Sequence, residues 1–205
     1  VVPIDQIFAG PQLNQTTGGT ASDMGRRSYV GRATYDYLGK YLLEYSFRYD
    51  GSPLFPDAGR WGYFSGYSAG WRVSDESFFK DNVKVLDYMK LRASYGTTGW
   101  DGIPQFQYLA GYNYPSGTYI YGGTTVSQGF TDAGIPNPLV TWQQMKTANI
   151  GVDLGFWGRM LELEIDVFQR NQKGLFGNRA TQIPSTFGAG LPQENINSDI
   201  VKGFE

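Results

Sequence analysis

The 205-residue chain contains no cysteine and no histidine. Disulfides, thiolate nucleophiles, Cys/His zinc sites, axial-histidine haem and any Ser-His-Asp arrangement are excluded with them. A cation excess is also missing, since 17 Lys and Arg stand against 19 Asp and Glu. The net charge of -2 and a pI of about 5.2 leave no footprint for nucleic acid. No apolar run approaches the ~18 residues that a spanning helix needs, and mean hydropathy is -0.37. A helical membrane protein is therefore excluded. A membrane β-barrel is not, because its strands contribute only alternate apolar residues. The opening VVPIDQIFAG lacks the basic start and apolar stretch of a signal peptide, so the expectation is a cytosolic protein or an internal piece of a longer chain. Phosphate-cradling loops are missing too: Gly39-Lys40 has no upstream glycine spacing, and Gly188-Ala189-Gly190 runs into Pro192.

What is present is aromatic and glycine-rich. Tyr, Phe and Trp make up 16% of the chain, and the 28 glycines are about twice the usual share. Six segments alternate with period two, the signature of strands with unlike faces. They are Ser28–Tyr37, Tyr41–Gly51, Tyr63–Arg72, Tyr88–Gly96, Lys146–Phe156 and Leu161–Arg170. In the second, Tyr41, Leu43, Tyr45, Phe47 and Tyr49 oppose Leu42, Glu44, Ser46, Arg48 and Asp50. Each segment has the ~9–11 residues that a tilted strand needs to cross hydrocarbon, longer than the 5–6 typical of globular strands. Pairing Tyr37 with Tyr41 across Leu38-Gly39-Lys40 puts Tyr35 opposite Leu43 and Arg32 opposite Ser46, so like faces meet.

Connections alternate in length. Leu38-Gly39-Lys40 and Trp157-Gly158-Arg159-Met160 are short; Gly51–Gly62 and Thr97 to about Trp142 are long. Val73–Asp87 lies at the short end, and its SDESFF start predicts a small helical turn. Short turns at one end and long loops at the other is the arrangement of outer-membrane barrels. Tyr35, Tyr37, Tyr41 and Trp71 at the short end fit an interfacial girdle, the alternative being a sandwich core.

Glu162, Glu164 and Asp166, with Asp153 near them, form an acidic strand face that could hold a hard cation or serve a glycosidase. No accompanying spacing supports either, and a ladder of charges facing a lumen, balanced by Lys90 and Arg92, is the favoured reading. Arg32, Glu44 and Arg48 belong to the same lumen-facing set. In the long connection Trp100, Phe106, Tyr108, Tyr112, Tyr114, Tyr119 and Tyr121 stand among glycines. Such aromatics suit stacking on sugars or contact with a partner protein, and equally suit packing the loop on itself. Asn14-Gln15-Thr16 matches a glycosylation acceptor that is common by chance. No catalytic constellation, metal site or cofactor motif emerges.

Several stretches together resemble one family. GKYLLEYSFRYDGS (Gly39–Ser52), RWGYFSGYSAGWRVSDESFF (Arg60–Phe79), LDYMKLRASYGTTG (Leu86–Gly99), NPLVTWQQMKTANIGVDLGFW (Asn137–Trp157) and INSDIVKGFE (Ile196–Glu205) are similar to SusC/RagA TonB-dependent outer-membrane transporters. The resemblance covers most of Arg27–Glu205; SPLFPDAG after Asp50-Gly51 departs from the pattern, and Val1–Arg26 resembles nothing strongly. It implies an all-β, antiparallel transmembrane β-barrel of about 22 strands, of which this chain holds about six. A plug, import of oligosaccharides or peptides, a TonB complex and a SusD-like lipoprotein lid are implied with it. No plug or TonB-contacting segment is evident, and six strands alone leave edges unpaired in hydrocarbon, so the expectation is a middle-to-late barrel portion. Residues 1–27 are then an extracellular loop or preceding barrel segment, 28–172 transmembrane barrel strands with long extracellular loops, and 173–205 an extracellular loop and the start of a next strand. Strand one runs inward, Gly51–Gly62 and Thr97–Val140 are extracellular, and Val73–Asp87 is periplasmic. The alternatives are another outer-membrane barrel, such as a porin or adhesin, and a soluble carbohydrate-binding β-sandwich.

Overall fold

The structure, a computed structural model, describes residues 23–123, 125–179, 184, 186 and 188–205. The Asn14-Gln15-Thr16 acceptor lies outside them, as does the side chain of Tyr121.

Each of the six alternating segments forms a strand; β2 coincides with its segment and the other five outrun theirs. They are β1 (Arg27–Tyr37), β2 (Tyr41–Gly51), β3 (Trp61–Arg72), β4 (Leu86–Trp100), β7 (Gln143–Phe156) and β8 (Leu161–Gly177). A further strand, β9 (Glu194–Phe204), completes a seven-stranded antiparallel sheet in the order β1-β2-β3-β4-β7-β8-β9. The register across the first turn is the one the alternation predicts, with Tyr37 opposite Tyr41, Tyr35 opposite Leu43 and Arg32 opposite Ser46. Val73–Asp75 is a 3-10 turn and Ser77–Asn82 a short helix, α1, in the predicted place.

The long connection differs from expectation. It is not a bare loop: Tyr112–Tyr121 and Thr125–Asp132 pair as a two-stranded hairpin, β5–β6, separate from the main sheet. Its pairing shifts register twice, and Pro115, Gly117 and Gly129 interrupt any clean alternation, which hides these strands from a period-two reading.

Because side chains alternate, the register sorts the main sheet into two faces. One bears Tyr35, Leu43, Tyr45, Phe47, Tyr67, Leu91, Ile150, Val152, Leu163 and Ile165, opposite one another across the strands. Rings meet along it: Tyr49 stacks on Trp61 at 4.8 Å, Tyr41 stacks on Trp71 at 6.3 Å, and Tyr45 lies tilted against Tyr67 at 5.1 Å. Phe47 lies flat over Gly31, where any Cβ would meet its ring. Most of these side chains stand exposed in the isolated chain. The opposite face carries Arg32, Glu44, Arg48, Lys90, Arg92, Asp153, Glu164 and Asp166 among serines and glycines.

The two short turns share one end of the sheet and one backbone solution. Leu38 and Gly39, central in the first, have φ of 57° and 68°; Gly158 and Arg159, central in the second, have 68° and 65°, and Trp157 before them has 51°. Positive φ at both central residues gives the twist that a tight hairpin requires. Leucine and arginine accept there a conformation that asparagine or glycine adopts more easily.

Candidate functional site

Three places gather polar or aromatic side chains. The first is the charged face. Arg92 reaches Asp153 at 2.8 Å, Glu164 at 2.5 Å and Asp166 at 2.9 Å, and the Asn149 amide donates to Asp166 at 2.9 Å. Strands β4, β7 and β8 are adjacent, so residues far apart in the chain share this cluster. Among the described residues the ion pairs of this cluster run to Arg92 alone; Lys90 stands opposite Asp153 without one. Glu162 lies apart, paired with Arg159 of the turn at 2.7 Å. Arg32 pairs with Glu44 at 2.7 Å, and Arg48 with Asp50 at 3.1 Å. An arginine at the centre of three carboxylates consumes the ligands that a hard cation would need. Among the described residues no group of three or more such side chains is placed to hold a metal ion.

The second place is the short-turn end. The Glu76 carboxylate accepts from the Tyr41 hydroxyl at 2.7 Å, the Lys40 ammonium at 3.0 Å and the Trp71 indole at 3.3 Å. The Tyr41 and Lys40 bonds hold the Glu76 carboxyl below its ordinary pKa. One carboxylate thus ties the turn before β2 to the connection after β3.

The third place is the long-loop end, and it contains the true core. Leu54 and Phe55 from the β2–β3 loop, Phe64 of β3, Ile103 after β4, and Val140 and Trp142 before β7 form one buried cluster. Tyr108 and Phe176 pack against it. Polar staples fix the loops over this core. Ser52 donates to buried Asp101 at 2.7 Å, and Arg26 pairs with the same carboxylate at 2.9 Å. The Asn195 amide donates to the Thr141 and Gly174 carbonyls and accepts from the Thr141 N–H. Asn137 is a second hub: its N–H donates to the Gln107 carbonyl, its side-chain amide to the Gln193 carbonyl, and its Oδ1 accepts from Leu139 N–H.

The aromatic set of the long connection divides accordingly. Trp100 belongs to the end of β4, not to the loop, and lies 6.2 Å from the Phe176 ring. Tyr114 packs on Phe130 at 4.7 Å, and the Tyr119 hydroxyl donates to the Phe130 carbonyl. Phe106 and Tyr112 stand exposed. Sequence reasoning missed Asn137 and Asn195. Asn137 does precede Pro138, a turn signal, but nothing local to Asn195 announces three long-range bonds.

Residues 5–205 match the family model described as TonB dependent receptor-like, beta-barrel. The chain is 33% identical over 190 residues to TonB-dependent receptor P39 of Formosa agariphila, covering 93% of this chain. It is 35% identical over 174 residues to TonB-dependent receptor SusC of Bacteroides thetaiotaomicron, covering 83% of it. In both cases it spans 17% of the relative's length. Among solved structures, the RagAB peptide importer in its closed-closed state superposes with a TM-score of 0.75 at 20% identity, covering 92% of this chain and 21% of that one. Another RagAB peptide transporter structure gives 0.73 at 22%, covering 87% and 19%. The chain belongs to the TonB-dependent receptor β-barrel family, and its antiparallel sheet is a section of such a barrel.

Proposed function

We propose that this chain is barrel wall and outer loops of an outer-membrane importer, its aromatic face against lipid and its charged face toward the lumen. The observation that carries this is the slope of the apolar band. Tyr35, Leu43, Ala69, Ala93, Ile150 and Val167 form one row across the sheet. On β2 the band extends six residues outward from Leu43, to Tyr49, and two inward, to Tyr41. On β8 it stops at Val167, with Gln169 next outward, and runs six residues inward to Leu161. Over the four strand steps between them both edges descend, by six and by four residues. At about 3.3 Å per residue and 4.8 Å per strand, the band crosses the strands at roughly 35–45° to their perpendicular. A bilayer is planar, and strands of membrane barrels tilt by about that angle.

The lumen then receives Arg32, Glu44, Arg48, Lys90, Arg92, Asp153, Glu162, Glu164 and Asp166. Wet charges there need no burial, so the ladder is a wall and not a catalytic centre. β1 runs inward, the Gly51–Gly62 loop and Thr97–Val140 are extracellular, and α1 is periplasmic. The family likeness supports import of oligosaccharides or peptides, energised by a TonB complex through parts outside this chain, under a SusD-like lipoprotein lid. No catalytic role is assigned.

The face assignment is tested in the full-length protein reconstituted in lipid. Single cysteines at Leu43, Ile165, Ser68 and Ser94, labelled with a fluorophore, are quenched with brominated acyl chains. Leu43→Cys and Ile165→Cys should be quenched and Ser68→Cys and Ser94→Cys spared. Uniform or reversed quenching would overturn the assignment.

A further inference from the structure

Between Arg92 and Lys146 the chain has no cation, and Asp101 and Asp132 are its two acids. Asp101 is already consumed by Ser52 and Arg26 beneath the loops. The outer surface built from this stretch is therefore close to uncharged, and a cleft of about 500 Å³ opens in it. One wall is Gln105, Phe106 and Gln107, and another is the segment that reaches Gln193. None of the residues lining it is Asp, Glu, Lys or Arg.

Two features mark the cleft as built. Asn137, only 6% exposed, bonds to the carbonyls of both Gln107 and Gln193 at 2.8 and 2.7 Å, so the walls hold a set separation. Phe106 has a φ of 59° and is 53% exposed. A bulky residue held in the left-handed region is strained, and such strain persists where the surroundings impose it. Here it presents a ring to solvent where burial gives no return.

We infer that this cleft is a subsite for a neutral oligosaccharide, with Phe106 as stacking platform and the Gln105, Gln107 and Gln193 side chains as hydrogen-bond partners; the inference rests on the transport reading above. A free peptide brings a terminal ammonium and carboxylate, and a uronate or sulfated glycan brings anions. The lining offers neither class a counter-charge, and desolvating an unpaired charge is costly. A neutral sugar chain needs none. Its apolar ring faces match an exposed aromatic face, and its hydroxyls match side-chain amides, which both donate and accept. Walls fixed in advance reduce the ordering cost of binding.

The test uses the full-length transporter purified in detergent and isothermal titration with three probe sets. They are short neutral hexose and pentose oligosaccharides, uronate oligosaccharides of matched length, and unblocked peptides of similar size. A neutral oligosaccharide should bind; Phe106→Ala should weaken it about tenfold, the scale of one stacking contact, and Phe106→Trp should retain affinity. Gln107→Ala should weaken it without changing the heat-dependent gel mobility of the barrel. Preference for charged probes, no binding by any neutral member, or unchanged affinity in Phe106→Ala would overturn the subsite. Failure of the transport reading looks different: heat-dependent mobility and the lipid-quenching pattern would themselves be lost.

Discussion

Phe55 offers the sharpest test of how the outer loops are held. Its side chain is fully buried, its ring centroid 5.2 Å from that of Trp142, which in turn meets Phe64 edge-on at 5.3 Å. Phe55→Ala removes the ring on which segments from three connections converge, and the Trp142 indole, anchored to the Arg60 carbonyl at 3.0 Å, cannot collapse freely into the gap. Core Phe→Ala changes of this kind cost about 3–5 kcal/mol. The strands keep their own hydrogen-bond ladder, so the loss should fall on local opening of the loops and not on the sheet. At about 1.4 kcal/mol per decade, hydrogen exchange of amides in the Gly51–Gly62 loop and around Val140 should accelerate roughly a hundredfold to several thousandfold. Exchange of β1 and β2 should stay as in the parent. Phe55→Leu, which conserves much of the volume, should cost under about 1.5 kcal/mol. The measurement is hydrogen exchange by mass spectrometry on the full-length protein. Loop protection within about tenfold of the parent, or equal loss in β1 and β2, would refute the reasoning.

Other sites give further expectations. Arg92→Met strands Asp153, Glu164 and Asp166 together, so it should lower the denaturant midpoint; adding Asp153→Asn and Asp166→Asn should recover part of the loss, a coupling that independent sites would not show. Glu76 contributes stability above the ordinary carboxylate pKa, because its folded-state pKa is lowered. That contribution drains away as pH falls through the lowered value. Glu76→Gln should therefore melt earlier at neutral pH and lose less on acidification, whereas parallel pH curves would contradict the clamp. Leu38→Asn should stabilise by about 0.5–1 kcal/mol in guanidinium titration, since asparagine enters the left-handed region more readily. Asn195→Ala should destabilise the loop end by about 2–3 kcal/mol, the worth of three part-buried hydrogen bonds, read from the same exchange experiment.

The strands were legible because strand information is local. Tyr41 to Tyr49 declare their face residue by residue, and the Leu38-Gly39 turn sets the register between β1 and β2 without help from elsewhere. The acidic face of β8 was legible in the same way, but its partner was not. Lys90 and Arg92 are equivalent by parity, and only the register selects Arg92, setting it opposite Gly151, where no side chain blocks its reach across β7 to Asp166. Hairpin β5–β6 escaped because Pro115, the glycines and two register shifts erase the period. Trp100 reads as a loop residue in the sequence because Gly96 and Gly99 break the pattern, whereas β4 continues past both and pairs as far as Trp100 opposite Gln143.

By itself the sequence determined the antiparallel all-β class, the two unlike faces, the turn positions and the family. All follow from short-range alternation and short motifs, whose physical basis is the pleat of one strand. Tertiary structure alone decided how Leu54, Phe55, Ile103, Val140 and Trp142 meet in one core, how Asn137 and Asn195 staple distant loops, and that the apolar band slopes across the sheet. Those depend on strand order and register between segments far apart in the chain, and no local pattern of residues encodes either.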